Sequence, residues 1–189
     1  MFRFLRQIVV STVCLALLVC AAYPLAVTAV GKVFFPEQAA GSLVYRDGVP
    51  IGSALLGQAF SGAGFFHPRP SAASYDGHLS GGSNLGPTSS VLAERLEKEA
   101  KSLRTDQQGP LPVDRLTASA SGLDPHLSPE GARMQAQRVA EARNLPIQTV
   151  LSLVDAHVEE PEWGLFGEPR VNVLQLNNAL DELHHTQKP

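Results

Sequence analysis

The chain has 189 residues and carries 15 Lys and Arg against 18 Asp and Glu, so it is weakly acidic, with its basic residues scattered. That balance leaves no basic stripe of the kind that neutralises phosphates and excludes a nucleic-acid binder. Cys14 and Cys20 both fall inside an apolar N-terminal run; the rest of the chain has no thiol with which to build a disulfide framework and must be held by packing.

From Ile8 to Val30 the sequence IVVSTVCLALLVCAAYPLAVTAV runs for 23 residues without a charge. At ~1.5 Å per residue it covers a hydrocarbon core of ~30 Å with room to tilt. Eleven of the 23 are Val, Leu or Ile, so insertion is favoured by a few kcal/mol at roughly −0.3 to −0.6 per central residue. The competing reading is a cleavable signal peptide: Arg3 and Arg6 make a basic start and the run passes VTA at Ala29. The run is longer than the ~7 to 15 apolar residues of a signal peptide, which favours a retained anchor. Arg3, Arg6 and the terminal amine, set against Lys32 and Arg46, orient residues 1–7 to the cytoplasm, 8–30 across the membrane and 31–189 outside. Ala16, Ala21, Ala22 and Ala26 are the expected contacts with partner helices, because small side chains allow close backbone approach in lipid.

About 155 residues then remain, enough for one domain with a real core. Between Gly41 and Phe60, Asp47-Gly48 separates two short apolar runs and predicts a β-hairpin. From Ser61 to Ser90, Gly, Ser, Pro and Asn destroy both periodicities, leaving a long loop whose Phe60, Phe65, Phe66 and Tyr75 argue for packing. Val91 to Leu103 reads as an amphipathic helix capped by Ser89 or Ser90. Leu111 to Ser121 reads as a short strand.

Ser128-Pro129-Glu130 is a helix start, with cap, N1 proline and an acid at the positive end of the dipole, and Asn144 is its stop. Ile147, Val150, Leu151, Val154 and Val158 then mark one buried helical face. The stretch EEPEWGLFGEPR, 159–170, breaks that helix, and Val173, Leu176, Leu180 and Leu183 mark a last one. The expected fold class is α+β: one N-terminal transmembrane helix, then a single extracytoplasmic domain with a small antiparallel sheet and about four helices.

LSGGS, Leu79 to Ser83, resembles the LSGGQ signature that grips a phosphate in ABC ATPases. Leu85-Gly86-Pro87 separates it from the next helix and no Walker A pattern accompanies it, so a turn with positive φ at Gly81 and Gly82 is the favoured reading. Histidines at 67, 78, 126, 157, 184 and 185 show no metal-ligand spacing. Asp124 and His126 could do acid–base work with a serine, but Pro125 and the Ser128 cap favour a turn braced by Asp124; no GxSxG elbow is present. Trp163 and Phe166 either anchor a partner or, as is commoner for a lone Trp beside glycine, cover their own core.

Taken in order, YPLAVTAVGKVFFPEQAAGSLV, FHPRPSAASYDGHLSGGSNLGPTS, LTASASGLDPHLSPEGARMQAQRVAEARNLP and FGEPRVNVLQLNNAL resemble the C subunit of the bacterial high-affinity potassium-transporting ATPase, the Kdp complex. The resemblance implies a non-catalytic accessory subunit of the bacterial inner membrane. Its partners would be a K+-selective A subunit, a B subunit that hydrolyses ATP through an aspartyl-phosphate, and a small F subunit. It also implies a catalytic-chaperone role that raises the nucleotide affinity of B, with Ser80, Gly81, Gly82, Ser83 and Asn84 as the segment that meets ATP. An external domain cannot reach a cytoplasmic nucleotide, since N–H groups act only at hydrogen-bond range. Three readings follow: an anchored subunit that stabilises the complex and shapes the external K+ pathway, a direct nucleotide chaperone, and a stand-alone periplasmic hydrolase or solute-binding protein.

Overall fold

The computed structural model describes residues 2–106 and 109–186, in two units divided between Leu43 and Val44. The first unit is built on one apolar helix, Phe2–Phe34, longer at both ends than the expected span and long enough to cross a bilayer. It consists of α1 (Phe2–Ala16), a wider π turn (Leu17–Ala22) and α2 (Tyr23–Phe34). The wide turn has a local cause. Pro24 has no N–H, and its ring would strike the Cys20 carbonyl in a regular α-helix. The Tyr23 N–H reaches back five residues to the Leu18 carbonyl, which relieves the clash. Ser11 Oγ donates to the Ile8 carbonyl at 3.0 Å, so this hydroxyl is satisfied within the helix. After Phe35 comes a single turn, α3 (Pro36–Ala39).

The expected hairpin, β1 (Leu43–Arg46) and β2 (Val49–Ser53), opens at the boundary and leads into the second unit. Asp47 and Gly48 both take positive φ, 50° and 77°, as a two-residue primed turn requires. No helix or strand follows until α4 (Ser90–Asp106), which the Ser89 hydroxyl caps by accepting from Leu92 N–H at 3.4 Å. Leu111 to Ser121 is not a strand. Val113–Leu116 form a helical turn, α5, launched by Pro112 and closed by the Thr117 hydroxyl donating to the Val113 carbonyl at 2.9 Å. The residues beyond it run beside the long loop, where Ser119 N–H donates to the Pro70 carbonyl.

The rest is a three-stranded antiparallel sheet under three helices. The sheet comprises β3 (His126–Leu127), β4 (Val158–Glu159) and β5 (Arg170–Asn172) in the order β3-β5-β4, with Leu127 and Val158 both opposite Val171. Val158 therefore belongs to a strand and not to the preceding helical face. The helices are α6 (Pro129–Arg143), α7 (Ile147–Ala156) and α8 (Val173–Thr186). Ser128 caps α6 by accepting from Gly131 N–H, and Asn144 ends it in the left-handed region at φ 54°. Ala132, Ala136 and Val139 of α6, Val150 and Val154 of α7, and Val173, Leu176 and Leu180 of α8 close the core over Leu127 and Val171. The long loop contributes one fully buried side chain to that core, Phe66.

Candidate functional site

A loop of that length without regular structure needs other partners for its backbone, and three buried polar side chains supply them. Asn177 on α8 accepts from Phe66 N–H at 2.8 Å and donates to the Phe66 carbonyl at 2.9 Å. Gln135 on α6 does the same for His67, at 2.8 and 3.0 Å. Arg115 on α5 donates to the carbonyls of His67 and Pro68 at 2.9 and 2.8 Å. At the edge, Arg143 stacks over the Phe65 ring at 4.7 Å and pairs with Asp181 at 2.7 Å, while Asp181 also holds Arg46 at 2.9 Å. Burial pulls the His67 imidazole below its ordinary value, and Arg138 and Arg115 add to this against a hydrogen bond to the Gly62 carbonyl, so the ring is neutral at pH 7. None of these latch residues stands out as a site in the sequence. The available signal was a polar residue on a buried helical face, such as Asn177 between Leu176 and Leu180.

The stretch Ser80 to Asn84 lies on this latched loop and is tied to the segment 119–122. Gly81 N–H donates to the Ser121 carbonyl at 2.8 Å, and Ser80 Oγ reaches the same oxygen at 3.3 Å. Ser71 Oγ donates to the Gly122 carbonyl at 2.6 Å and accepts from Tyr75 N–H at 3.0 Å. The expected turn with positive φ at Gly81 and Gly82 is not formed: neither takes that conformation, and the positive-φ positions of the loop are Gly62, Ser74, Tyr75 and Asn84. Close approach explains the small residue at Gly82, where a Cβ would sit 2.9 Å from the Ala120 carbonyl oxygen; at Gly81 nothing lies within 4 Å. Across the junction, Gly122 has φ +70° and a Cβ there would meet the Gly81 oxygen at 2.7 Å. Residues 85–89 separate the stretch from α4, so the dipole of that helix does not start at these glycines.

Asp124 braces its turn as expected, accepting from His126 N–H at 3.0 Å, and its other oxygen takes a 3.1 Å ion pair from Arg69. These residues border a cleft of about 340 Å³ with Asp114, Glu168 and Arg170. Acid–base chemistry with a serine would need a hydroxyl committed to the imidazole, but the Ser128 hydroxyl serves the α6 cap. Burial raises the Asp124 carboxyl, but hydrogen bonds from His126 and the Arg69 charge outweigh it and hold it below the usual carboxylate range. Its contribution to stability is present above about pH 4 and is lost as pH falls through the lowered folded value. The stability difference between the protein and Asp124→Asn should therefore shrink between pH 6 and pH 3; a difference that stays constant in urea melts would show that the charge contributes nothing.

Among the described residues no three His, Cys, Asp or Glu side chains converge at metal-binding range; the side chains of His184 and His185 lie outside those described. Trp163 does not cover its own core: it is 92% exposed. Ala16, Ala21, Ala22 and Ala26 all lie on the long apolar helix, with Ala21 and Ala22 in the wide turn and Ala22 and Ala26 one helical turn apart on a shared face.

The family described as KdpC, K+-transporting ATPase, c chain, matches residues 5–182. A potassium-transporting ATPase KdpC subunit of Nitratidesulfovibrio vulgaris is 57% identical, covering 97% of this chain and 96% of its own. That of Myxococcus xanthus is 56% identical over 94% of this chain and 85% of its own, and that of Methylobacterium nodulans 50% identical over 97% and 98%. The stand-alone hydrolase or solute-binding reading finds no support in these matches. With the family match and these identities both running nearly end to end, the chain belongs to the KdpC family, the c chain of the K+-transporting ATPase.

Proposed function

We propose that the chain anchors and stabilises an ATP-driven potassium uptake complex without performing its chemistry. The observation that carries this reading is how the Gly/Ser stretch is used: the Gly81 N–H and the Ser80 hydroxyl are both spent on the Ser121 carbonyl, which makes the stretch a structural strap. In this reading the K+-selective A subunit handles potassium, the B subunit hydrolyses ATP, and the small F subunit completes the membrane part. The chain sits in the bacterial inner membrane with Arg3 and Arg6 inside and the domain from residue 31 onward outside. Ala16, Ala21, Ala22 and Ala26 pack against partner helices. ATP use is assisted indirectly, through the stability and shape of the complex.

The direct nucleotide chaperone is the second reading, supported by the likeness of Leu79 to Ser83 to a phosphate-gripping signature, and it requires the domain to be cytoplasmic. A phosphatase fusion at Pro189 separates the two, because it is active only outside the cytoplasm. The glycines provide an independent test. Gly81→Ala has open space and an ordinary backbone, so it should change stability by less than about 0.5 kcal/mol. Gly82→Ala presses on a backbone carbonyl and should cost about 1 to 2 kcal/mol. If Gly81→Ala instead raised the ATP Michaelis constant severalfold in a fully assembled complex, the strap would be a nucleotide contact and the reading preferred here would be wrong.

A further inference from the structure

The turn joining β4 to β5 presents three large apolar side chains to solvent: Trp163 at 92% exposure, Leu165 at 76% and Phe166 at 56%. It is an ordered turn. Gly164 N–H donates to the Pro161 carbonyl at 2.8 Å, and Glu162 and Phe166 exchange hydrogen bonds of 2.9 and 3.0 Å. At its base Arg170 holds Glu159 at 3.0 Å and reaches Glu162 at 3.8 Å. Trp163 takes φ 56°, a left-handed conformation that costs a non-glycine residue roughly 1–2 kcal/mol. It nevertheless rests edge-on against Phe166, ring centroids 5.9 Å apart, and covers little else. Strain of this kind, held by its surroundings to display a large aromatic outward, is what an anchor residue needs, since such residues dominate binding energy when they enter a desolvated pocket.

The charge around the turn selects what it binds. Residues 159–170 hold four glutamates, Glu159, Glu160, Glu162 and Glu168, and one arginine; Arg170 is already engaged by two of them, and Arg133 of α6, which borders a cleft with Glu160 and Glu168, is paired with Asp155. An anionic lipid surface would repel this rim despite the liking of Trp for membrane interfaces. A second copy meeting it tip to tip would bring the same carboxylates together. A protein surface with an apolar hollow and Lys or Arg at its edge is complementary in both respects. We infer that the 161–167 turn docks Trp163 into an apolar, basic-rimmed socket on another chain of the transport complex. This rests on the accessory-subunit reading above, because it requires companion chains.

The test uses the full chain produced together with the whole complex. A photoreactive p-benzoylphenylalanine replaces Leu165, and the untagged subunits are recovered through a tag on the chain. An ultraviolet-dependent adduct identified by mass spectrometry as another subunit of the complex is the expected result. An assembled complex whose adducts are only to lipid, only to a second copy, or absent overturns the docking role while leaving the accessory reading intact. A wild-type chain that recovers no other subunit overturns both. In parallel, Trp163→Ala should weaken association about thirtyfold, Trp163→Phe should restore much of it, and the thermal midpoint of the isolated chain should not move, because the side chain is exposed. Association within twofold of wild type would remove Trp163 as the anchor.

Discussion

Asn177→Ala is expected to lower the unfolding free energy by about 3 to 5 kcal/mol, more than any exposed substitution on α8. The side chain is 2% exposed and satisfies both backbone groups of Phe66. Its removal strands a buried donor and a buried acceptor, each at about 1 to 3 kcal/mol, in a site that water does not reach. Phe66 is itself fully buried against the helical core, so the loss spreads from one hydrogen-bonded pair to the ring that the pair positions. Gln175→Ala, on the exposed face of the same helix, should stay within about 0.5 kcal/mol. Urea unfolding of the two variants decides the matter. Equal, small losses would mean that the long loop is held by its own turns and owes little to α8. Amide exchange at Phe66 gives a local readout: it should accelerate in Asn177→Ala even where the global transition is only shifted.

The second large effect concerns the membrane. Leu17 opens the wide turn of the apolar helix and is 61% exposed along its surface. Leu17→Arg places a charge at the centre of the stretch Ile8 to Val30, adding about 2.5 to 3.5 kcal/mol against insertion. That is comparable to the whole margin supplied by the apolar residues, so membrane retention after carbonate extraction should fall sharply. Retention equal to wild type would argue that the helix lies in a protein or aqueous environment. Because the wide turn precedes Pro24, the expected defect is one of partitioning; the hydrogen-bonding there already accommodates the proline.

Where local chemistry dictates conformation, the structure follows what the residues announce. Asp47-Gly48 makes its primed turn, Ser128-Pro129 starts α6, Asn144 ends it, and Ile147, Val150, Leu151 and Val154 of α7 and Val173, Leu176 and Leu180 of α8 fall on the core. These features are set within a few residues by sterics, capping and burial periodicity, which need no knowledge of distant partners. The strand expected over Leu111 to Ser121 failed for the opposite reason. β-Branched residues such as Val113 and Thr117 do not make a strand without a neighbour to pair with, and Pro112 turned Val113–Leu116 into a helical turn. The expected small antiparallel sheet forms, but the places of its strands could not be read along the chain, because β3 and β4 have two residues each, too short to show a period of two.

The candidate site divides in the same way. The apolar run, the scattered charge and the ordered motifs that point to the family can all be read along the chain, since hydropathy, charge and local order are properties of neighbours in sequence. The course of residues 60–90 cannot. Its backbone is satisfied by Asn177, Gln135 and Arg115, residues 47 to 111 positions away, and Gly82 is small because the Ala120 carbonyl passes close to it, not because of positive φ. Side-chain to backbone hydrogen bonds across such separations exist only once the helices have packed. Folding therefore decided what the sequence left open: that the Gly/Ser stretch is tied to the segment 119–122, and that Trp163 faces outward.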